Sequence, residues 1–598
     1  MDNYTPPIED LRFVLRELID LNTICSLPGY REATLDVIES ILEEAGKLAT
    51  GVLAPLNRIG DLQGSRLENE AVRTPDGWKE AYQRFMEGGW TSLLFEAEYG
   101  GQGLPRVVGI AVQEMWDAAN MAFGLCPMLT QTAAQAISYK GSKQQKEVYL
   151  RRLVSGEWAG TMNLTESQAG SDLSAVRTLA VPTDDESYLL TGQKIFITYG
   201  DHDLTPNIIH LVLARTPGAP AGVKGISLFI VPKFICGTKG KFDLRNDIRT
   251  VSLEHKLGIH ASPTAVLSYG DEGGAVGYLV GEECHGLEYM FIMMNIARHA
   301  VGVEGYAIAE RAYQRALTYA QGRIQGRAVG SDSVNRVSII HHPDVRRVLM
   351  VMKCRIEAMR ALSLYAAAAT DVSERTSDPR ERSCKQRMVD ILIPLVKGWS
   401  SEVGNDIAGR ALQVMGGMGF IEESGAAQDY RDVRITTIYE GTSGIQAADL
   451  VGRKLLTDGG SMVREIIATI YSDLQIVVNE KQDGVGVICR AMSEAVSRLE
   501  EATDWILTSA DEDLQMPFAA SFYYLMLWGT VAGGWQMARA AGAAGRRLAA
   551  GDRNYEFLQG KLLSARCYAL HVLPESVALH SAIVSGSELV VEAEDVFT

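Results

Sequence analysis

Over the first 158 residues, apolar positions recur every three or four places. In Asp36-Val-Ile-Glu-Ser-Ile-Leu-Glu-Glu-Ala, the residues Val37, Ile38, Ile41, Leu42 and Ala45 predict one buried helix face. Gly100-Gly-Gln-Gly-Leu-Pro interrupts the period as a loop, and Val107 to Ala119 resumes it. From about 159 to 283 the texture changes to short β-branched or aromatic runs: Tyr188-Leu-Leu-Thr, Lys194-Ile-Phe-Ile-Thr, Ile208-Ile-His-Leu-Val-Leu-Ala and Ile226-Ser-Leu-Phe-Ile-Val-Pro. Gly, Pro, Asp and Asn clusters divide them, which predicts antiparallel strands and turns. Beyond 284 the helical period returns. Val345, Val348, Leu349, Met352, Ile356, Met359 and Ser363 mark one face of a long helix, with Gly326 to His342 as the loop before it.

At 598 residues the chain is too long for one core, and the order helices, strands, helices, helices predicts an α+β, mainly α protein of separate domains. The expected boundaries are 1–158 (helical), 159–283 (β), 284–460 (helical) and 461–598 (a helical extension). Leu514 to Ala538 carries no formal charge for 25 residues. Its Pro517, Gln515, Gln536, Ser521 and Thr530 favour a buried packing helix over a membrane span. Gly529-x-x-x-Gly533 predicts close packing there, on the preceding helices or on a partner subunit.

Composition narrows the function. Hydrophobic residues at 46% and charged residues at 22% are ordinary globular values. The net charge, 57 − 74 = −17, comes without a basic stripe and argues against nucleic acid as a partner. Eight cysteines without a Cys-x-x-Cys pair suit a reducing compartment, and the opening MDNYTPPIEDLRF reads as no secretory signal, so a cytoplasmic location is expected. Phosphate-loop, Gly-x-Gly-x-x-Gly and Gly-x-Ser-x-Gly motifs are missing, and the histidines show no metal spacing: His341 and His342 are adjacent, and His299 reads as structural. No metal is expected.

Two segments carry chemistry. Met162-Asn-Leu-Thr-Glu-Ser-Gln-Ala-Gly-Ser-Asp is a turn rich in hydroxyls and small residues, able to grip a polar ligand. Tyr430-Arg-Asp-Val-Arg-Ile-Thr-Thr-Ile-Tyr-Glu-Gly-Thr-Ser-Gly-Ile-Gln sets Glu440 between apolar Ile438-Tyr439 and a flexible Gly441. Read alone, Glu440 is an ordinary exposed or capping carboxylate. Together, however, the segments resemble the acyl-CoA dehydrogenase family, flavoenzymes that introduce a Cα–Cβ double bond into acyl-CoA thioesters. The resemblance runs from about 40 to 455 in order, through Gly192-Gln-Lys-Ile-Phe-Ile-Thr, Lys256-Leu-Gly-Ile-His-Ala-Ser, Arg298 and Gln413-Val-Met-Gly-Gly-Met-Gly-Phe. The long lead and the extension past 460 resemble the larger subfamily that includes 3-methylmercaptopropionyl-CoA dehydrogenase.

The resemblance implies an N-terminal helical domain, a barrel-like middle β domain, a four-helix bundle and FAD between them. It makes Glu440 the base for the α-proton and the flavin the acceptor of the β-hydride, with the thioester oxygen held by the Glu440 N–H and a ribityl hydroxyl. Burial should raise the Glu440 pKa. Cofactor contacts would come from Thr165, Ser171, Phe196, Thr198 and Thr442, with Arg323 on the pyrophosphate of a neighbouring subunit's FAD and Gln413, Gly416, Gly417 and Gly419 near the adenosine across a homodimer. Substrate contacts would involve Ser171, Arg298, Tyr439 and Gly441, with Leu129, Thr130, Gln131 and Thr132 along the acyl pocket. An electron-transfer flavoprotein is the implied acceptor. Arg323-Ile-Gln-Gly-Arg departs from the family's Arg-x-x-Phe-Gly, and Gly444 replaces a common polar residue. A general medium- or long-chain acyl-CoA dehydrogenase, an acyl-CoA oxidase and a non-catalytic binding protein are the competing expectations.

Overall fold

The computed structural model describes residues 4–30, 32–236, 241–330, 334–479 and 484–596. Contacts divide the chain into two units, one of Met1–Gly46, Pro105–Ala118 and Arg298–Thr598, the other of Lys47–Leu104 and Ala119–Ala297. The helical stretch 1–158 is thus shared between them. Its main helices are α1 (Ile8–Phe13), α2 (Leu35–Leu48), α3 (Trp78–Glu87) and α4 (Arg106–Lys140). On α2 the buried face is Ile38, Leu42 and Ala45. Val37 is 42% exposed, because a step of one residue turns it about 100° off that face. Helix α4 is interrupted at Asn120 (φ −162°, ψ 85°), close to where the units divide.

The second unit is built on strands β1 (Ala159–Asn163), β2 (Leu179–Pro182), β3 (Tyr188–Thr198), β4 (Ile208–Arg215), β5 (Ile226–Pro232), β6 (Ile248–Leu253), β7 (Thr264–Tyr269) and β8 (Ala275–Leu279). They form one sheet in the order β6-β7-β3-β8-β5-β4-β1. Strand β2 bonds to both β3 and β4, closing a ring of β3, β8, β5, β4 and β2 that gives the barrel-like form. Most pairs are antiparallel, as expected, but β1 and β2 run parallel to β4. The long connection from β1 to β4 through β2 and β3 permits the parallel pairing. Period-two alternation sends Ile209, Leu211 and Leu213 of β4 into one core and Val212 and Ala214 into another. Ala133, Ala134 and Ile137 of α4 complete the first of these cores.

The first unit is helical: α5 (Gly286–Gly322, from Arg298 onward), α6 (Pro343–Arg375), α7 (Pro379–Met415), α8 (Ala426–Val433) and α9 (Ser443–Ala448). The extension follows as α10 (Ser461–Val478), α11 (Val485–Glu512), α12 (Gln515–Ala549), α13 (Tyr555–His571) and α14 (Glu575–Glu592). On α6, Leu349, Met352, Ile356, Met359 and Ser363 are buried as their spacing requires, with Val345 and Val348 half-buried near its start. The loop expected from Gly326 to His342 holds a short 3₁₀ turn, Ile339–His341; residues 331–333 lie outside the described ones. Three long helices, α5, α6 and α7, make the bundle, and the short α8 and α9 follow α7. The connection between α8 and α9 carries Glu440.

The uncharged segment begins at Leu514 and covers about the first two-thirds of α12; it is almost wholly buried from Tyr524 to Ala538, while Leu514, Phe518, Phe522 and Tyr523 before that are exposed. Its glycines meet Trp399 of α7: a Cβ on Gly529 would lie 2.2 Å from the indole Cγ, and one on Gly533 2.6 Å from Cη2. The extension therefore packs on the bundle helix itself.

Candidate active site

Between α8 and α9 the chain makes a 3₁₀ turn, Arg434–Thr437, and then opens. Glu440 lies in the left-handed region (φ 55°) and Gly441 follows it there (φ 88°). A left-handed glutamate is strained by about 1–3 kcal/mol, so its surroundings must hold it. Lys397 Nζ donates to the Gly441 carbonyl at 2.6 Å, and Gln446 Nε2 donates to the Glu440 carbonyl at 3.1 Å. A Cβ at 441 would come within 2.7 Å of Gln446 Nε2, so glycine suits both the conformation and the space. Thr442 then caps α9, its Oγ1 accepting from the Ile445 N–H at 3.2 Å. The Tyr439 hydroxyl donates to Glu304 on α5.

The Glu440 carboxyl is half-buried. Burial pushes its pKa up to about 7, while the cations of Arg298 and Lys397 pull the other way. Lys397 is itself completely buried. Desolvation brings its pKa down to about 8, partly offset by Glu440 and Glu304. Arg298, buried at the start of the first unit's share of α5, lies 3.6 Å from Asp449, and Asp449 also pairs with Arg453 at 2.5 Å. Burial raises the pKa of Glu304 well above the carboxylate range, with nearby Asp117 adding to the rise, and raises Asp117 itself to about 8. The set is a carboxyl half-ionised near neutral pH, with two cations favouring its anion and two further carboxyls held toward their protonated forms. Such a group is suited to accept a proton at working pH.

In the second unit, Glu166 shapes the hydroxyl-rich segment. Its carboxylate accepts from the backbone N–H groups of Arg177 (2.8 Å) and Thr178 (3.0 Å), from the Thr178 hydroxyl (2.5 Å) and from Lys194 Nζ (2.8 Å). Burial opposes ionisation, but the Lys194 cation and these hydrogen bonds outweigh it and hold Glu166 at about 2. Lys194, lowered by burial to about 8, keeps its charge at neutral pH. The Thr165 carbonyl accepts from the Ile195 N–H at 2.9 Å, tying the segment to β3. There two residues, Ile195 and Phe196, face the single Val266 of β7. This bulge turns Phe196 to φ 60° and leaves its ring 59% exposed. Thr198 ends the strand half-buried, and Ser171 is exposed.

The remaining expected residues fall into separate groups. Leu129, Thr130 and Thr132 are buried on α4. The Thr130 hydroxyl donates to the Cys126 carbonyl at 2.9 Å and accepts from the Gly160 N–H at 3.1 Å; that of Thr132 donates to the Leu129 carbonyl at 2.8 Å. Gln131 reaches the carbonyls of Trp90 and Thr91 at 3.3 and 3.4 Å. The polar groups of these three side chains are thus engaged with main chain inside their own unit. Arg323, just past α5, and Gln413, at the end of α7, are exposed. Gly416 (φ 60°) ends α7, and a side chain at 416 or 417 would meet open space. A Cβ at Gly419 would lie 2.4 Å from the Leu412 carbonyl oxygen, so that glycine folds back on α7. His299 is structural, as expected: its Nε2 lies 3.0 Å from Ser363 Oγ, and burial lowers its pKa to about 3. Sequence reasoning missed Lys397, Glu304, Glu166 and Lys194. A lone charge inside an apolar helical run was the available signal for Lys397 and Glu304.

This order of helical, strand and helical domains is matched part by part by family models: the acyl-CoA dehydrogenase N-terminal domain over 41–157, the middle domain over 161–271, the C-terminal domain over 285–456, and an acetyl-CoA dehydrogenase C-terminal-like domain over 462–594. The chain belongs to the acyl-CoA dehydrogenase family, oxidoreductases that use FAD. Among its relatives, it is 48% identical over 596 residues to 3-methylmercaptopropionyl-CoA dehydrogenase of Ruegeria pomeroyi, covering 99% of each chain. It is 34% identical over 590 residues to a butyryl-CoA dehydrogenase of Syntrophomonas wolfei, covering 96% of this chain and 95% of that one. A solved acyl-CoA dehydrogenase complexed with FAD from Bacillus anthracis shares the fold at 20% identity, with a TM-score of 0.74 over 95% of this chain and 92% of that one. The residues present fit such a cofactor: the bulge turns an aromatic ring out to solvent beside Thr198 and the Thr165 segment, a surface suited to a planar ring with polar edges.

Proposed function

We propose that the protein oxidises 3-methylmercaptopropionyl-CoA to its 2,3-enoyl thioester, a step in dimethylsulfoniopropionate breakdown. The observation that carries the chemistry is Glu440, a carboxyl raised to about 7 on a turn gripped by Lys397 and Gln446. The 48% identity along the full chain to a dehydrogenase of that name supports the substrate. Bound FAD supplies the acceptor for the β-hydride. Glu440 takes the α-proton, and Arg298 and Lys397 keep enough of it ionised to do so. The Glu440 backbone N–H holds the thioester oxygen as it gains charge. Tyr439 and Gly441 flank the reacting carbons.

Thr165, Ser171, Phe196, Thr198 and Thr442 hold the flavin, and Arg323, Gln413, Gly416, Gly417 and Gly419 serve the pyrophosphate and adenosine parts in a homodimer. The exposed apolar run of Met418, Phe420 (85% exposed) and Ile421 beside these glycines supports a second copy of the chain there. Electrons leave to an electron-transfer flavoprotein.

The test is anaerobic bleaching of the bound flavin by 3-methylmercaptopropionyl-CoA beside butanoyl-, octanoyl- and palmitoyl-CoA. Faster bleaching by the thioether substrate than by any straight chain is the expected result. Preference for a straight chain moves the protein to general fatty-acid oxidation, and bleaching by none of them overturns the reading.

A further inference from the structure

Glu304 has no part in the chemistry set out above, yet it is bonded to the residue beside the base. It sits on α5, completely buried, and accepts the Tyr439 hydroxyl. Its position is fixed by a close approach of α5 to α7. A Cβ on Gly302 would lie 2.7 Å from the Val396 carbonyl oxygen, and one on Gly305 2.9 Å from that of Ser400. From the α7 side, a Cβ on Gly404 would lie 2.3 Å from the Gly305 carbonyl oxygen. Glycines thus flank Glu304 on both sides and bring α5 and α7 together backbone to backbone, so the carboxyl has a rigid mount.

The same α7 carries Lys397, whose Nζ grips the Gly441 carbonyl at 2.6 Å. The left-handed Glu440 is therefore anchored on both sides in sequence, by α5 through Tyr439 and by α7 through Gly441. A strained residue on an open turn points in one direction only while such anchors hold.

We propose that Glu304 is a positioning residue for proton removal: by accepting the Tyr439 hydroxyl it fixes the turn that carries Glu440, and with it the direction of the base. This rests on Glu440 being the base. The bond needs an acceptor oxygen at 304 and a hydroxyl at 439, and it needs no negative charge. Glutamine at 304 therefore serves where leucine fails.

The experiment compares Tyr439→Phe, Glu304→Leu, Glu304→Gln and Glu440→Gln holoenzymes with wild type, using the acyl-CoA that bleaches the wild-type flavin fastest. FAD content and Tm are measured for each. Tyr439→Phe removes one oxygen atom and guards against the case in which Glu304→Leu does not fold. A small misplacement of a base lowers kcat by about 10- to 100-fold. That loss is expected for Tyr439→Phe and Glu304→Leu, with KM within about 2-fold, and Glu304→Gln should recover most of it. A Tyr439→Phe enzyme with wild-type kcat overturns the proposal. So does a loss confined to KM, or a folded Glu304→Gln as impaired as Glu304→Leu. If Glu440→Gln is itself active, the parent reading fails and this one falls with it. An inactive Glu440→Gln beside an unimpaired Tyr439→Phe removes the positioning role alone.

Discussion

At Glu440 two opposing effects meet. Burial raises the carboxyl and the cations of Arg298 and Lys397 lower it, leaving it at about 7. A base must be ionised to act, so kcat/KM should rise with pH through about 7 in the free enzyme. Lys397→Met removes one of the two cations while Arg298, Glu304 and Tyr439 still face the carboxyl. The pKa must then rise, and the acid limb of the pH–rate profile should move to higher pH; a limb that stays or moves down refutes this balance. Glu440→Gln should retain FAD and lose about 10²–10⁴-fold in activity, measured by flavin bleaching. Glu166 shows the opposite sign. Its pKa is depressed to about 2, so its contribution to stability is complete above the unfolded carboxyl value of about 4.3 and is lost as pH falls toward 2. Glu166→Gln leaves Lys194 buried without its counter-charge and should cost about 3–5 kcal/mol at neutral pH, read by denaturant unfolding, with the penalty shrinking on acidification through that window. Glu440 was legible only as part of a motif, because nothing in its immediate neighbours distinguishes it from a capping residue. Lys397 and Glu304 showed in the sequence only as lone charges inside apolar helical runs, with nothing to tie them to the site. They come from helices distant in sequence, and their relevance depends on which turn of each helix faces the gap.

Elements were more legible than sites, because periodicity is a local property and packing is not. The strand runs of the middle domain announced themselves by β-branched content, and the face of α6 by its spacing. The ring closure through β2 and the parallel pairing of β1 with β4 could not be read, since both join segments separated by tens of residues. The bulge at Ile195–Phe196 was equally hidden: it is a mismatch between two strands and exists in neither alone. The uncharged segment with Gly529 and Gly533 lies between these cases. Its burial was readable and its partner, Trp399 of α7, was not. At Gly529 the indole Cγ already lies 2.2 Å from where a Cβ would be, so even alanine requires α12 or the ring to move. Overpacking of a tight core costs about 1–3 kcal/mol. Gly529→Ala should therefore lower the Tm, and Gly529→Ala/Trp399→Phe, which trims the ring, should recover part of the loss.

At the scale of the whole molecule, the family resemblance over about 40 to 455 suggests that the lead and the extension are additions to a self-sufficient enzyme. The ion pairs say otherwise within the first unit. Arg360, buried in the middle of α6, binds Asp10 of α1 at 2.6 Å, Glu114 of α4 at 2.5 Å and Glu310 of α5 at 2.8 Å. Lys561 of α13 binds the same Asp10 at 2.5 Å and Glu357 of α6 at 3.0 Å. Lead, bundle and extension thus share one buried network in which each charge relies on a partner from another segment. Removing one partner from such a network costs about 3–5 kcal/mol, because the remaining charges stay desolvated and unpaired. A chain ending at residue 460 loses Lys561 and also the apolar cover that α12 gives to Trp399 and its neighbours on α7, one of the largest side chains in the core. Against a typical net stability of about 5–15 kcal/mol, these two losses together remove a large share of what keeps the bundle folded. The truncated chain should be recovered aggregated or free of FAD, whereas full-length Lys561→Met should fold with a lowered Tm. A soluble 1–460 chain that holds FAD and is bleached by an acyl-CoA would show that the extension is dispensable and that the network stabilises only itself.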